Sequence, residues 1–82
     1  MDTLMMNIFD IYNRSAHRMA SGGSFASCIS EAFFYADSKN VQRLVEAFPE
    51  LFDRFMNQEE RDELRALKAI EQANRLLKLL EV

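Results

Sequence analysis

The sequence predicts an all-α protein, and three observations support this class. Apolar residues recur at the i, i+3, i+4 and i+7 spacing of helices along the whole chain. The chain contains 2 glycines and 1 proline, which is few for the many turns of an all-β protein. Its 82 residues, 49% of them hydrophobic, suit one small domain over residues 1–82. We expect three main helices, a short helix at Pro49 and a long C-terminal helix, paired with a second copy as a helical-bundle homodimer.

The first predicted helix covers about residues 2–20 and ends in the run Ser21-Gly22-Gly23-Ser24. A glycine there supplies the positive φ that commonly follows a helix, and Ser24 is the expected N-cap of a second helix over about 25–36. The apolar face of the first helix is formed by Met5, Ile8, Phe9, Tyr12, Ala16 and Met19.

The next boundaries follow from capping residues and from the single proline. Asp37 and Ser38 separate the second helix from a third over about 39–48. Pro49 favours the first turn of a new helix and disfavours a helical conformation in the residue before it, so a short helix is expected over about 49–56.

The last predicted helix covers about 58–81. Asn57 followed three residues later by Glu60 is typical of a capping box. The acidic residues of the first turn complement the positive end of the helix dipole, and we expect all of them to be exposed: Glu59, Glu60, Asp62 and Glu63. At about 1.5 Å per residue this helix is roughly 37 Å long. It should therefore span the molecule or project from it.

Charge, cysteine content and hydropathy exclude several classes of protein. Ten Lys and Arg against thirteen Asp and Glu give a net charge of −3, which makes nucleic-acid binding an unfavourable default. The single Cys28 excludes an intrachain disulfide and a cysteine-based zinc site. No stretch reads as a signal peptide or as the roughly 18 apolar residues of a membrane span. We expect a cytoplasmic protein with no membrane partner.

The residues that could act in catalysis or metal binding do not converge in the sequence. His17 with Asp10 or Asn13 supplies at most two weak ligands, fewer than a stable metal site needs, and we expect His17 to face solvent. Cys28 is expected to be a small, partly buried side chain. The sequence thus predicts no enzyme activity, no cofactor and no metal.

The loop of residues 21–24 is the one candidate anion site. Arg14 and Arg18 lie one helical turn apart and are expected to point back towards it, and the following helix N-terminus attracts anions. The loop lacks the spacing and the lysine of a phosphate-binding loop. We favour its interpretation as an ordinary turn between two helices.

Residues 39–43 suggest an alternative function. Lys39, Asn40, Gln42 and Arg43 are residue types found on the recognition helix of a helix-turn-helix. The acidic Asp37 flanks them and would repel phosphate. A small DNA-binding transcriptional regulator is therefore kept as the second hypothesis.

An excess of apolar residues stands out from this background. In the run Phe33-Phe34-Tyr35, consecutive helical positions point about 100° apart, so one helix face cannot bury all three. We expect Phe34 or Tyr35 to face a second element or a partner.

The last helix carries a similar excess. Alternating spacings of four and three, typical of a coiled-coil seam, connect Ala66, Ile70, Ala73, Leu77 and Leu80. Asn74 lies beside this row and could fix its register. Further leucines lie beside or behind it: Leu64, Leu67, Leu76 and Leu79. The row is equally consistent with an internal core face and with an interface between chains.

The stretch from Ser24 to Phe55 resembles small uncharacterised helical proteins of bacteriophages and mobile elements. The resemblance covers about two-fifths of the chain and is carried by Ser24-Phe25-Ala26, Ile29, Glu31-Ala32, Ala36-Asp37-Ser38, Asn40, Arg43-Leu44, Ala47-Phe48-Pro49, Leu51-Phe52 and Arg54-Phe55. It implies a phage-encoded accessory protein and no particular activity. Together with the apolar excess, it predicts a non-enzymatic protein–protein interaction module that binds a second copy of itself and a host protein.

Overall fold

The computed structural model describes residues 3–81, and this part of the chain contains five α-helices and no strand. The all-α prediction is confirmed, and within the described residues the predicted helix ends agree with the observed ones to within about two residues. The predicted start of the first helix, at residue 2, lies outside the described residues. The helices are α1 (Thr3–Met19), α2 (Ser24–Tyr35), α3 (Ser38–Ala47), α4 (Pro49–Arg54) and α5 (Gln58–Leu80).

Three of the predicted helix starts have the expected chemistry. The Asp37 carboxylate accepts a hydrogen bond from the Asn40 backbone N–H at 2.9 Å and caps α3. Pro49 occupies the first turn of α4. Asn57 and Glu60 form both hydrogen bonds of a capping box at the start of α5. Each of these ends is fixed by groups within three residues of one another.

The start of α2 differs from the prediction. Gly23, not Ser24, is the N-cap residue, and no side chain accepts a hydrogen bond there. Gly23 has a φ of 108°, a conformation that L side chains rarely adopt, and Ser24 is already helical. The expected role of Ser24 is wrong because the chain reverses at the residue directly before the helix.

Helix α1 lies at the centre of the fold and contacts α2, α4 and α5. Ile11 was outside its predicted apolar face but is fully buried, because neighbours on several sides widen the buried arc. Tyr12 packs edge-on against Phe52 with ring centroids 5.6 Å apart. The buried core is formed by Ile8, Ile11, Tyr12, Ala16, Met19, Ala26, Phe33, Leu51, Phe52 and Met56.

Helix α5 runs antiparallel to α1. Arg18, near the end of α1, meets Glu60 in the first turn of α5, whereas Leu4 and Leu77 line one depression at the other end of the pair. At about 1.5 Å per residue α5 is roughly 34 Å long, and the molecule measures 47 × 27 × 19 Å. The helix therefore spans most of the molecule, as one of the two predicted arrangements has it. Residues 72–80 are all exposed.

No helix within residues 3–81 combines the length and the apolar character that crossing a membrane requires.

Candidate functional site

Helix α5 has two apolar faces, and only one of them belongs to the core. The inner face contains Leu64 and Leu67, which pack against the buried core. The second face is the predicted row, here called the α5 seam and defined as Ala66, Ile70, Ala73, Leu77 and Leu80. At about 100° per residue the centres of the two faces lie roughly 120° apart around the helix. One flat contact with α1 cannot cover both.

The α5 seam is exposed along its whole length. Ile70 is 50% exposed, Leu77 57% and Leu80 81%. Asn74, predicted to lie beside the row, is exposed as well. The sequence left the seam equally consistent with a core face and with a surface, and the structure places it on the surface.

The aromatic run on α2 is divided between core and surface. Phe33 is 2% exposed and stacks on Phe9 with ring centroids 5.7 Å apart. Phe34 is 44% exposed and lies against His17, with centroids 4.6 Å apart, while Tyr35 is 85% exposed at the end of the helix. Two of the three aromatic side chains thus retain large exposed surfaces.

A buried carboxylate binds the first turn of α5 to α1, on a side of the helix that does not carry the α5 seam. Glu60 is 2% exposed and accepts two hydrogen bonds from Arg18, at 2.6 and 2.9 Å. Arg14 lies 3.3 Å from the same carboxylate. The hydrogen bonds from Arg18 lower the pKa of Glu60 despite its burial, and the same pairing raises the pKa of Arg18.

This cluster overturns two expectations. Glu60 was expected to be exposed with its neighbours, but the capping box folds its side chain onto α1. Arg14 and Arg18 were expected to point at the loop of residues 21–24, and both instead bind Glu60. One local signal in the sequence singles out Glu60, namely its place in the capping box. No such signal marks the arginines as its partners, because they lie more than forty residues away along the chain.

The remaining candidate ligands are dispersed in the structure. His17 is exposed in the last turn of α1, as predicted. Cys28 is exposed, so its expected partial burial is wrong: the α2 face that carries it does not meet α1. Within residues 3–81 no group of three or more His, Cys, Asp or Glu side chains could hold a metal ion.

The four residues of the DNA-binding hypothesis are exposed on α3. Arg43 donates to Asn40 at 3.3 Å, and Gln42 donates to the acidic Glu46 at 3.1 Å. Lys39 has no ion pair shorter than 4.0 Å with the acidic residues of the described chain. The α3 surface is therefore a mixture of opposite charges and neutral amides.

Two open surface depressions accompany these features. One, of about 320 Å³, lies beside Tyr12 and Lys68, and the other, of about 400 Å³, lies between Leu4 and Lys78. Neither contains a His or Cys side chain. Comparisons with protein-family models, curated proteins and solved structures return no match.

Proposed function

We propose that this chain is a non-enzymatic protein-interaction module that forms a homodimer through the α5 seam. The observation that carries the proposal is the exposure of Ile70, Leu77 and Leu80, each at least half in water. Soluble monomers seldom leave a contiguous row of large aliphatic side chains exposed. A second copy that covers the row would complete the helical bundle predicted from the sequence.

Energetics support self-association. Full burial of a Leu or Ile side chain contributes about 1.5–3 kcal/mol. The three large seam residues retain half or more of their surface, so each copy gains roughly 3–6 kcal/mol before association costs. A chain of 82 residues buries a limited share of its surface alone, which makes this supplement useful.

The aromatic surface of α2 is the proposed contact with a different protein. Phe34 and Tyr35 lie on α2, apart from the α5 seam, and aromatic residues are enriched in the buried centres of interfaces. The resemblance to phage proteins makes a host protein the proposed partner and an accessory or inhibitory role the proposed outcome.

The dimer is tested by a pair of matched substitutions in α5. Leu77→Glu places a charge on the seam, whereas Leu79→Glu places the same charge on a 71% exposed leucine outside it. We expect light scattering at high micromolar concentration to give a dimer mass for the unchanged chain and for Leu79→Glu, and a monomer mass for Leu77→Glu. Circular dichroism checks that both variants stay helical. A monomeric unchanged chain would overturn the homodimer.

The alternative is a DNA-binding regulator that uses Lys39, Asn40, Gln42 and Arg43. Its support is the exposure of all four side chains on one short helix. A fluorescence titration with duplex DNA at low salt separates the two functions. Salt-sensitive binding that weakens in Lys39→Ala and Arg43→Ala would favour the regulator. The interaction module predicts no such binding.

A further inference from the structure

We propose that the two copies pair their α5 seams antiparallel, with the two-fold axis level with residues 71 and 72. This inference rests on the proposed function, since it takes a second copy as the occupant of the seam. It adds the direction of the partner helix and the residues that meet. In this register Ala66 lies opposite Leu77 of the second copy, and Ile70 lies opposite Ala73.

The order of large and small residues in the seam favours this direction. Small Ala66 and Ala73 alternate with large Ile70 and Leu77. Seam residues of the two copies that lie at the same level form a layer. In the antiparallel pair every central layer contains one alanine and one large aliphatic side chain, so the two helix axes keep a uniform separation. A parallel pair in register would stack alanine on alanine and leucine on leucine. Its layers would alternate between thin and thick, which leaves voids or forces overpacking.

The charge pattern of α5 favours the same direction. Residues 59–63 contain four acids and one base, whereas residues 64–81 contain four bases and two acids. Antiparallel pairing brings the acidic first turn of each copy near the end of the partner helix that carries Lys78 and Glu81, where the two charges cancel. Parallel pairing would instead set the two acidic segments side by side, within the distance at which like charges repel in physiological salt.

The position of Glu63 also favours antiparallel over parallel pairing. It precedes Ala66 by three residues and so continues the seam towards the N-terminus of α5. A parallel pair would place the two Glu63 carboxylates in one layer. The antiparallel pair separates the two Glu63 carboxylates and places each of them opposite Leu80, a side chain that is 81% exposed in the single chain.

Cysteine cross-linking tests the direction. Cys28, the only cysteine of the chain and an exposed one, is first changed to serine. Ala66→Cys and Leu77→Cys are then made in separate copies of this background. The two positions are eleven residues apart, about 16 Å along a helix. A bis-maleimide shorter than that distance is added to each variant alone and to their equal mixture, and the products are weighed by mass spectrometry.

The expected result is a covalent heterodimer in the mixture and no covalent homodimer of either variant alone. Homodimers from each single variant would show parallel pairing and overturn the inference. If light scattering shows that both cysteine variants are dimeric and no cross-link forms, the dimer contact lies on another surface. That result would overturn the inference as well. A monomeric chain without cross-links would overturn the proposed homodimer itself.

Discussion

The guanidinium of Arg18 and the carboxylate of Glu60 form two parallel hydrogen bonds, from Nη1 to Oε1 at 2.6 Å and from Nη2 to Oε2 at 2.9 Å. Nη1 also donates to the Phe55 carbonyl oxygen at 2.7 Å. One side chain near the end of α1 thereby holds the connection between α4 and α5 as well as the first turn of α5. The attachment lies on the same side of α5 as Leu64 and Leu67, which pack against the core.

Glu60→Gln should destabilise the fold. Glutamine retains the size of the side chain and its capping-box hydrogen bond but removes the charge that binds Arg14 and Arg18. We expect a loss of about 1.5–3 kcal/mol, near the lower value because the two arginines are 42% and 43% exposed. Urea unfolding measures it. Glu59→Gln, an exposed position in the same turn, is the control, and an equal loss there would contradict the assignment.

The stability of the protein should depend on pH through Glu60. The hydrogen bonds from Arg18 hold the pKa of Glu60 below its ordinary value of 4.5 in the folded chain. The unfolded chain therefore binds more protons as the pH falls below that value, so the contribution of Glu60 is complete above it and is lost as the pH falls through the folded-state pKa.

Urea unfolding of the unchanged chain and of Glu60→Gln, from neutral pH to about pH 3, measures this contribution. The difference in unfolding free energy between the two chains should shrink as the pH falls. If this difference stays constant over the whole pH range, the charge of Glu60 does not contribute to the stability of the fold.

The two glycines should respond to alanine for different reasons. At Gly22 a new Cβ would overlap the ring of Phe55, so Gly22→Ala should cost roughly 1–3 kcal/mol through overpacking. Gly23 has nothing within 4 Å of that position but has a φ of +108°, so Gly23→Ala should cost about 1–3 kcal/mol through backbone strain.

A double-mutant cycle with Phe55→Leu distinguishes the two causes. The smaller side chain should reduce the loss at Gly22 and leave the loss at Gly23 unchanged. If Phe55→Leu reduces the loss of unfolding free energy equally for Gly22→Ala and Gly23→Ala in urea unfolding, the two losses do not have separate causes.

Substitutions within the run Phe33-Phe34-Tyr35 should differ sharply in their effect on the free energy of unfolding. Phe33→Ala removes a ring that is 2% exposed and should cost about 3–5 kcal/mol. Tyr35→Ala removes a ring that is 85% exposed and should change the free energy of unfolding by less than about 0.5 kcal/mol. Thermal or urea unfolding checks both variants. A large loss for Tyr35→Ala would mean that its ring packs within the subunit.

Local chemistry made the helices predictable. Asp37 caps α3, Pro49 begins α4 and Asn57 with Glu60 opens α5, as their sequence neighbourhoods indicate. Ser24 is the exception, because the backbone reversal at Gly23 decides where α2 begins. Each of these features acts within a few residues, so the sequence order alone contains the information that a helix boundary needs.

The sequence predicts which residues form the α5 seam, but it does not predict whether the seam faces the core or the solvent. The spacing of Ile70 and Leu77 marks an apolar row, and so does the spacing of Leu64 and Leu67 around the same helix. Periodicity shows that such a helix has more apolar surface than one neighbour covers. It does not show which row faces α1.

The number, extent and amphipathic character of the helices follow from the order of the residues, since these properties arise from groups that are neighbours along the chain. Packing of the helices against one another turns Leu64 and Leu67 inward and leaves Ile70 and Leu77 in water. The pairing of Arg18 with Glu60, forty-two residues apart, joins α5 to α1 on the same inward side. Contacts between distant residues form only when helices pack, so no local pattern records them.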